Sequence, residues 1–205
     1  MAKNYFRNIP DFEYVNRTKD GKFISNYTQV KNFFKRGKLR EDIFQDLTVF
    51  EKYSVKGDDR PDNVAHEIYG DANLDWVVLL SNNIVNIQNE WPLGQQAFET
   101  YILDKYGTSA KLEEIHHYES NEVKDQSGVI IFPKGVRVSA AQSVSYYEHL
   151  DNEQITVNPI SKAITNYVHE QRINDKKRDI FLIKPKYLNV VFDDLEEMMQ
   201  YKEGS

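Results

Sequence analysis

Hydrophobic and polar positions are most regular between Tyr53 and Trp91. Tyr53 and Val55 alternate with polar residues as in a half-buried strand, and after them the spacing becomes helical. Gly57, Asp58 and Asp59 supply turn chemistry between the two, with an aspartate oxygen placed to cap the coming helix. Pro61 stands near the first helical position, where its missing N–H costs nothing. Val64 and Ile68, with Ala65 and Tyr69, recur at i and i+4, and Gly70 predicts a left-handed stop. Asn73 predicts the next N-cap. The segment after it places Leu74, Trp76, Val77, Val78 and Leu80 around most of a helix, which therefore needs cover on both sides. The core expected of this stretch is Tyr53, Val55, Val64, Ile68, Tyr69, Leu74, Trp76, Leu80 and Trp91.

The rest of the chain is less regular and divides by pattern into 1–50, 51–110, 111–158 and 159–205. Residues 1–50 scatter Tyr5, Phe6, Ile9, Phe12, Tyr14 and Val15 around Pro10 without a sustained period, and Asp20-Gly21 marks a turn. Short extended pieces laid over another surface are the expectation, an arm rather than a domain. A helix is predicted from Gly94 to Gly107, with Phe98, Tyr101, Ile102 and Tyr106 on one face. From Lys111 to Val138 the pattern is of strands. Val129–Phe132 and Val136–Val138 flank Pro133-Lys134-Gly135 as a hairpin, and one of these strands is a candidate partner for the strand at Tyr53. Residues 139–158 read as a polar loop. Beyond them come a polar linker, a charged segment from Glu170 to Arg178 and an apolar strand from Ile180 to Ile183. A last helix begins near Pro185, with Leu188, Val191, Phe192, Leu195 and Met198 or Met199 as its stripe and Asp193, Asp194, Glu196 and Glu197 as its wet face.

Composition narrows the function. A net charge of −6 and a pI near 5.4 disfavour a general binder of nucleic acid or anionic membrane. Phe33 and Phe34 do stand among Lys31, Lys35, Arg36, Lys38 and Arg40, the mix that single-strand binders use. Yet Glu41, Asp42 and Asp46 follow at once and no second basic patch extends the run, so this stretch reads as a protein-contacting or self-packing arm. The absence of cysteine excludes disulfides, thiolate metal sites and a thiol nucleophile. No signal-like or membrane-spanning apolar run is present, and the chain reads as soluble. Its 13 Tyr and 11 Phe are many for so polar a chain, which fits either an aromatic core or aromatic surface buried against something else.

Little catalytic chemistry is visible. His66-Glu67 begins like a zincin motif, but Gly70 holds the place of the second histidine. His116 and His117 are neighbours, so on a strand they face opposite sides and cannot jointly chelate one ion, and His149 and His169 lie in unpatterned polar surroundings. Neither a metal nor any other cofactor is expected. Asp58 with Asp59 and Glu113 with Glu114 read as a helix cap and a solvated strand end rather than as a glycosidase pair.

Two resemblances follow from these residues. The strand with Tyr-x-Val, the Gly-Asp turn, the Ala-x-x-x-Tyr-Gly helix and the Trp-x-x-Leu-x-x-Asn helix resemble the LysM module, whose family binds N-acetylglucosamine-containing glycans with its helix-flanking loops. Here Asn86–Pro92 and a further helix stand where the LysM closing strand is expected. More specifically, GDDRPDNVAHEIYGDANLDWVVLLSNNI with EWPL resembles the baseplate wedge protein 53 family of contractile-tailed bacteriophages. ITNYVHEQRINDKKRDIFLIKPKYL resembles the C-terminal signature of the same family, at Thr165, Asn166, Tyr167, Glu170, Asn174, Arg178, Ile180 and Pro185. The resemblance implies an α+β fold: a LysM-like β-α-α core, an extra helix, a small antiparallel sheet and extended N- and C-terminal segments. It implies a non-enzymatic subunit of the virion, assembled in the host cytoplasm in several copies around the tail axis. Its expected partners are other wedge proteins and a sheath-initiating subunit, with neither nucleic acid nor membrane among them. The contact residues expected are Phe33, Phe34 and Arg36 in the arm and Tyr167, Arg172 and Arg178 near the C-terminus. The alternative is a peptidoglycan- or chitin-oligomer-binding module, using the loop after Val55 and the one near Asn82–Asn86.

Overall fold

The chain begins with a helical turn, α1 (Tyr5–Asn8), and a hairpin of β1 (Asp11–Asn16) and β2 (Asn26–Lys31), in a computed structural model that describes residues 4–16 and 26–200. The Asp20-Gly21 turn expected from sequence lies outside the described residues. A short helix, α2 (Glu41–Gln45), precedes β3 (Phe50–Ser54). Then come α3 (Pro61–Tyr69), α4 (Asp75–Ser81), α5 (Ile87–Glu90), α6 (Gln95–Tyr106) and α7 (Ser109–Glu113). Seven strands follow: β4 (Ile115–Ser120), β5 (Val123–Lys124), β6 (Ile130–Phe132), β7 (Arg137–Val138), β8 (Val144–Glu148), β9 (Glu153–Val157) and β10 (Ser161–Thr165). The chain ends with α8 (Asn166–Lys176), β11 (Asp179–Ile183) and α9 (Leu188–Met199). The fold is α+β with small antiparallel sheets, and it divides into two units. One runs to Pro92 and resumes at Lys177; the other is Leu93–Lys176.

The first unit is organised on β3. Its partner is β11, antiparallel, with Tyr53 opposite Ile180 and Phe50 opposite Ile183. The sequence expectation of a partner from the 129–138 region is thereby corrected. The reason is hydrophobic burial: Ile180, Leu182 and Ile183 are all buried, in one cluster with Val49, Phe50 and Val55. The Val55 amide extends the ladder to the Arg178 carbonyl at 2.9 Å. On the outer rim of β11 the Asn82 side chain imitates a strand, its Nδ2 donating to the Phe181 carbonyl and its Oδ1 accepting the Phe181 N–H, both at 2.8 Å. Over the sheet lie α3 and α4. Pro61 stands at the first turn of α3, and Gly70 ends it at φ 73° with its N–H on the His66 carbonyl. Val64, Ala65, Leu74, Trp76, Val77, Val78 and Trp91 are buried in one cluster with Val191, Leu195 and Met199 of α9. Tyr69 donates its hydroxyl to the Ile183 carbonyl at 2.9 Å, and burial raises the pKa of its phenol.

Three local expectations are revised in this unit. Neither Asp58 nor Asp59 caps α3; Arg60 takes the N-cap position without a side-chain bond, and the Asp59 carbonyl instead accepts the Trp91 indole N–H at 2.9 Å. Asn73 does not cap α4. Asp71 accepts the Asn73 amide at 3.0 Å and starts a single 3-10 turn, so the helix begins at Asp75. Asp194 does not belong to the wet face of α9: it is buried, with Arg40 Nη1 at 3.3 Å from its Oδ1.

The second unit, Leu93–Lys176, has a smaller apolar cluster. Phe98 and Ile102 of α6 pack with Leu112 of α7, while Tyr101 of the same helix faces out, contrary to expectation. Gly107 stops α6 at φ 79° as predicted. Val123, Ile160 and Ile164 are buried as well, and polar groups complete the interior. Asn174 accepts the Leu93 N–H at 2.8 Å and donates to the Leu93 carbonyl at 2.9 Å. Glu170 is buried with Lys105 Nζ at 2.8 Å and the Tyr106 hydroxyl at 3.0 Å. Glu148 accepts the Gln126 amide at 3.0 Å. The segment read as a charged stretch is therefore largely helix α8, whose buried positions are polar and so escape an apolar-periodicity search.

The strands of this unit also pair differently from the sequence expectation. Residues 129–138 do not form a hairpin; β6 pairs with β5 and β7 with β4, in the order β10-β4-β7. Ser120 is the cause, because its hydroxyl donates to the Pro133 carbonyl at 2.6 Å and its carbonyl accepts the Gly135 N–H at 2.9 Å, fastening the turn to β4. The expected loop at 139–158 contains the hairpin β8–β9, with Tyr146 opposite Ile155 and Val144 opposite Val157.

Candidate protein-interaction surface

A ladder of rings leads from the core of the first unit to its surface. Phe192 lies 5.9 Å from Trp76, Trp76 lies 5.7 Å from Tyr5, Tyr5 meets Phe6 edge-on at 5.7 Å, and Phe6 reaches Phe33 at 6.2 Å. Burial falls along the ladder: Trp76 is 8% exposed, Phe6 65% and Phe33 71%. The Tyr5 hydroxyl accepts the Gly37 N–H at 2.9 Å. Gly37 eases this approach, since a Cβ there would stand 2.5 Å from Leu195 Cδ1 and force that side chain to shift. Lys35 donates to the Met199 and Gln200 carbonyls at 3.2 and 2.7 Å, satisfying the end of α9 where the helix dipole favours a cation. The arm is thus moored on α9, and its turn at Phe33 and Phe34 projects outward.

The exposed rings border a groove of about 710 Å³ whose other wall includes Leu79, Ile84, Val85 and Ile87. Phe34 is 94% exposed, and Val85 and Ile87 also face outward. Glu90 holds the far lip in shape by accepting the Val85 and Asn86 amides at 2.7 and 2.8 Å, which lowers its pKa. Charge lies at the rim: Arg36 reaches Asn83 Oδ1 at 3.4 Å, and burial raises the pKa of Asp75 in the wall. An apolar trough with a guanidinium at its edge has the chemistry of a protein-binding surface.

The expected contact residues fall in three places. Phe33, Phe34 and Arg36 come together on this arm, with Phe33 and Arg36 lining the groove. Tyr167 and Arg172 stand in the other unit, where Tyr167 meets the Phe98 ring at 6.0 Å and Arg172 clasps Glu119 at 2.6 and 2.8 Å. Arg178 donates to the carbonyls of Val55 and Gly57 at 3.2 and 2.9 Å. Sequence reasoning missed Phe6, Val85 and Ile87. The apolar trio Ile84, Val85 and Ile87 between asparagines was the available signal.

The family comparison bears on this surface. The sequence model of the family described as Base plate wedge protein 53 matches residues 5–196, which includes the arm, both units and most of α9. This chain belongs to the base plate wedge protein 53 family. It is similar as well to the baseplate wedge protein gp53 of Enterobacteria phage T4, at 25% identity over 160 residues covering 75% of each chain. Membership makes it a structural protein of the virion, placed in the tail baseplate among other baseplate components. Among the described residues no helix is long and apolar enough to cross a membrane.

One cluster outside the groove also has chemical potential. His116, His117 and His169 come together, although alternation along a strand would separate the first two. The register of β4 against β10 slips beside them, Ile164 opposing His117 and Thr165 opposing Ile115, so His116 is the extra residue of a bulge. A bulge re-aims side chains, and here the two Nδ1 atoms stand 2.8 Å apart. The His169 ring stacks on that of His116 at 3.9 Å. Partial desolvation, then the facing imidazoles of His169 and His117, lower the pKa of His116.

Proposed function

We propose that this chain joins neighbouring subunits of the baseplate wedge through the surface formed by Phe6, Phe33, Phe34 and Arg36. The observation that carries this reading is the ring ladder: aromatic side chains leave the core in sequence and end in solvent beside an apolar groove. Burial of such rings in a partner is the ordinary source of binding free energy at a protein interface. The occupant is an apolar segment of another wedge subunit carrying a carboxylate for Arg36. A sheath-initiating subunit is a second partner in this proposal, several copies surround the tail axis, and assembly takes place in the host cytoplasm. Tyr167, Arg172 and Arg178 shape surfaces of their own units rather than lead the contact.

The same proposal gives the β3-α3-α4 portion the character of a LysM-like module whose closing strand is β11. Support comes from the chain order of these elements and from the antiparallel pairing of the two strands. In this reading the module packs and carries no glycan, and the protein performs no catalysis. The buried carboxylates of the second unit support this, since Glu148 and Glu170 each bind donors of their own fold.

A direct test measures binding of the full chain to each purified wedge subunit, with and without Phe33→Ala and Phe34→Ala together. Both rings are exposed, so the fold should persist. Loss of about 2 kcal/mol, or roughly 30-fold in Kd, is expected for ring truncation at such a contact. Unchanged affinity would reject the surface, and retention on insoluble cell wall that chitooligomers compete would favour a glycan role.

A further inference from the structure

We propose that His116, His117 and His169 bind a divalent transition ion, with zinc the best fit, which ties α8 to the bulged strand β4. One ring nitrogen from each residue lies within 4.8 Å of the other two. The strongest indication is the way His117 is held. Its Nδ1 points into the cluster, 2.8 Å from His116 Nδ1, while its Nε2 points outward to Glu119 Oε1 at 3.0 Å. Glu119 is in turn fixed by Arg172 Nη1 at 2.8 and 2.6 Å from its two oxygens. With the proton on Nε2 shared with the carboxylate, Nδ1 keeps its lone pair for a metal. A carboxylate behind a ligating imidazole sets its tautomer and raises its basicity.

The donor set selects the kind of ion. Three neutral nitrogens suit zinc, copper or nickel, whereas magnesium and calcium require oxygen. Metal–nitrogen bonds of about 2.0–2.1 Å in a tetrahedron put the nitrogens about 3.3 Å apart, so the His116–His117 pair needs to open by roughly half an ångström. The His116 and His169 rings lie nearly parallel, 12° apart, so their in-plane lone pairs lie in two near-parallel planes. Rotation of one ring about its soft Cβ–Cγ torsion makes them converge. His116 is exposed, leaving room for water as the fourth ligand. The ion would clamp the helix to the sheet of a unit whose apolar cluster is small.

The test uses the full chain, stripped with a chelator and titrated at neutral pH with zinc chloride by calorimetry and with cobalt chloride by visible absorption. One equivalent of zinc is expected, together with cobalt bands of tetrahedral intensity and a thermal midpoint that rises until one equivalent is reached. His116→Gln, at an exposed position, and His169→Gln should each weaken zinc binding at least about 30-fold with an unchanged far-ultraviolet spectrum. Glu119→Gln, at a positioning residue, should weaken it about 10- to 100-fold while preserving the tetrahedral cobalt spectrum. His66→Gln and His149→Gln should leave affinity unchanged. Failure of the unsubstituted chain to take up zinc, or equal uptake by His116→Gln and His169→Gln, would overturn the site.

Discussion

In the first unit, buried apolar side chains form one continuous cluster around Trp76 and the β3–β11 pair. In the Leu93–Lys176 unit, the cluster of Phe98, Ile102 and Leu112 is supplemented by Ser120, Glu148, Glu170 and Asn174, all buried and all hydrogen-bonded. The first interior is held mainly by exclusion of water, which is tolerant of direction, with Ser81 and Asp194 as its buried polar exceptions. The second relies on donors and acceptors that must meet at set distances. Loss of atoms should therefore harm the first unit through cavities, and loss of a single polar partner should harm the second through an unmatched buried group.

Trp76→Ala is the strongest way to break this comparison. It removes a ring that touches both Tyr5 and Phe192, and should cost about 3–5 kcal/mol. Denaturant unfolding followed by the fluorescence of Trp91, in the same unit, measures it; a cost below 1 kcal/mol would mean that the cluster is not the main support. Next comes Asn174→Ala, which removes the one side-chain amide that bonds both the N–H and the carbonyl of Leu93. A loss of about 1–3 kcal/mol is expected, with faster hydrogen exchange at the Leu93 amide. Tyr69→Phe deletes one hydrogen bond to Ile183 inside the apolar unit and should cost about 1 kcal/mol, which sharpens the contrast by asking what a polar contact contributes where apolar burial dominates.

The arrangement around Trp76 was largely legible in the sequence because its elements are local. Pro61, Gly70 and the i, i+4 positions act within one or two turns, so α3 is found where they place it. The pairing of β3 was not legible, since the ladder is completed by residues far along the chain. The three histidines failed for a related reason: their meeting depends on a bulge defined against β10, which regular alternation cannot anticipate. The β8–β9 hairpin was hidden by polar faces, because Ser145 and Thr156 pair through their hydroxyls at 2.8 Å instead of through apolar contact. Of the groove, the Phe33-Phe34-Arg36 side stood out by composition, whereas its juxtaposition with Val85 and Ile87 required the fold.

The smallest predicted effect concerns pH and again separates surface from core. Glu90 titrates below its ordinary value of 4.5 because it accepts the Asn86 and Val85 amides in the folded chain. Its contribution to stability is present above the unfolded pKa and is lost as pH falls through the lowered folded one. Glu90→Gln should flatten that part of the acid dependence, visible as a smaller drop in urea midpoint between neutral pH and pH values below 4.5. An identical acid profile in the variant would show that the groove lip is held by other bonds.

The Asn82 amide on Phe181 has a consequence for strand addition at the rim of β11. A two-stranded sheet leaves outer rims open, and an open rim is a template on which a foreign strand can add. Here the N–H and carbonyl that Phe181 turns outward are both occupied by one short side chain. An incoming strand would have to displace that amide before gaining its first bond at this position. The rim is thereby closed at Phe181 to the casual addition of a further strand.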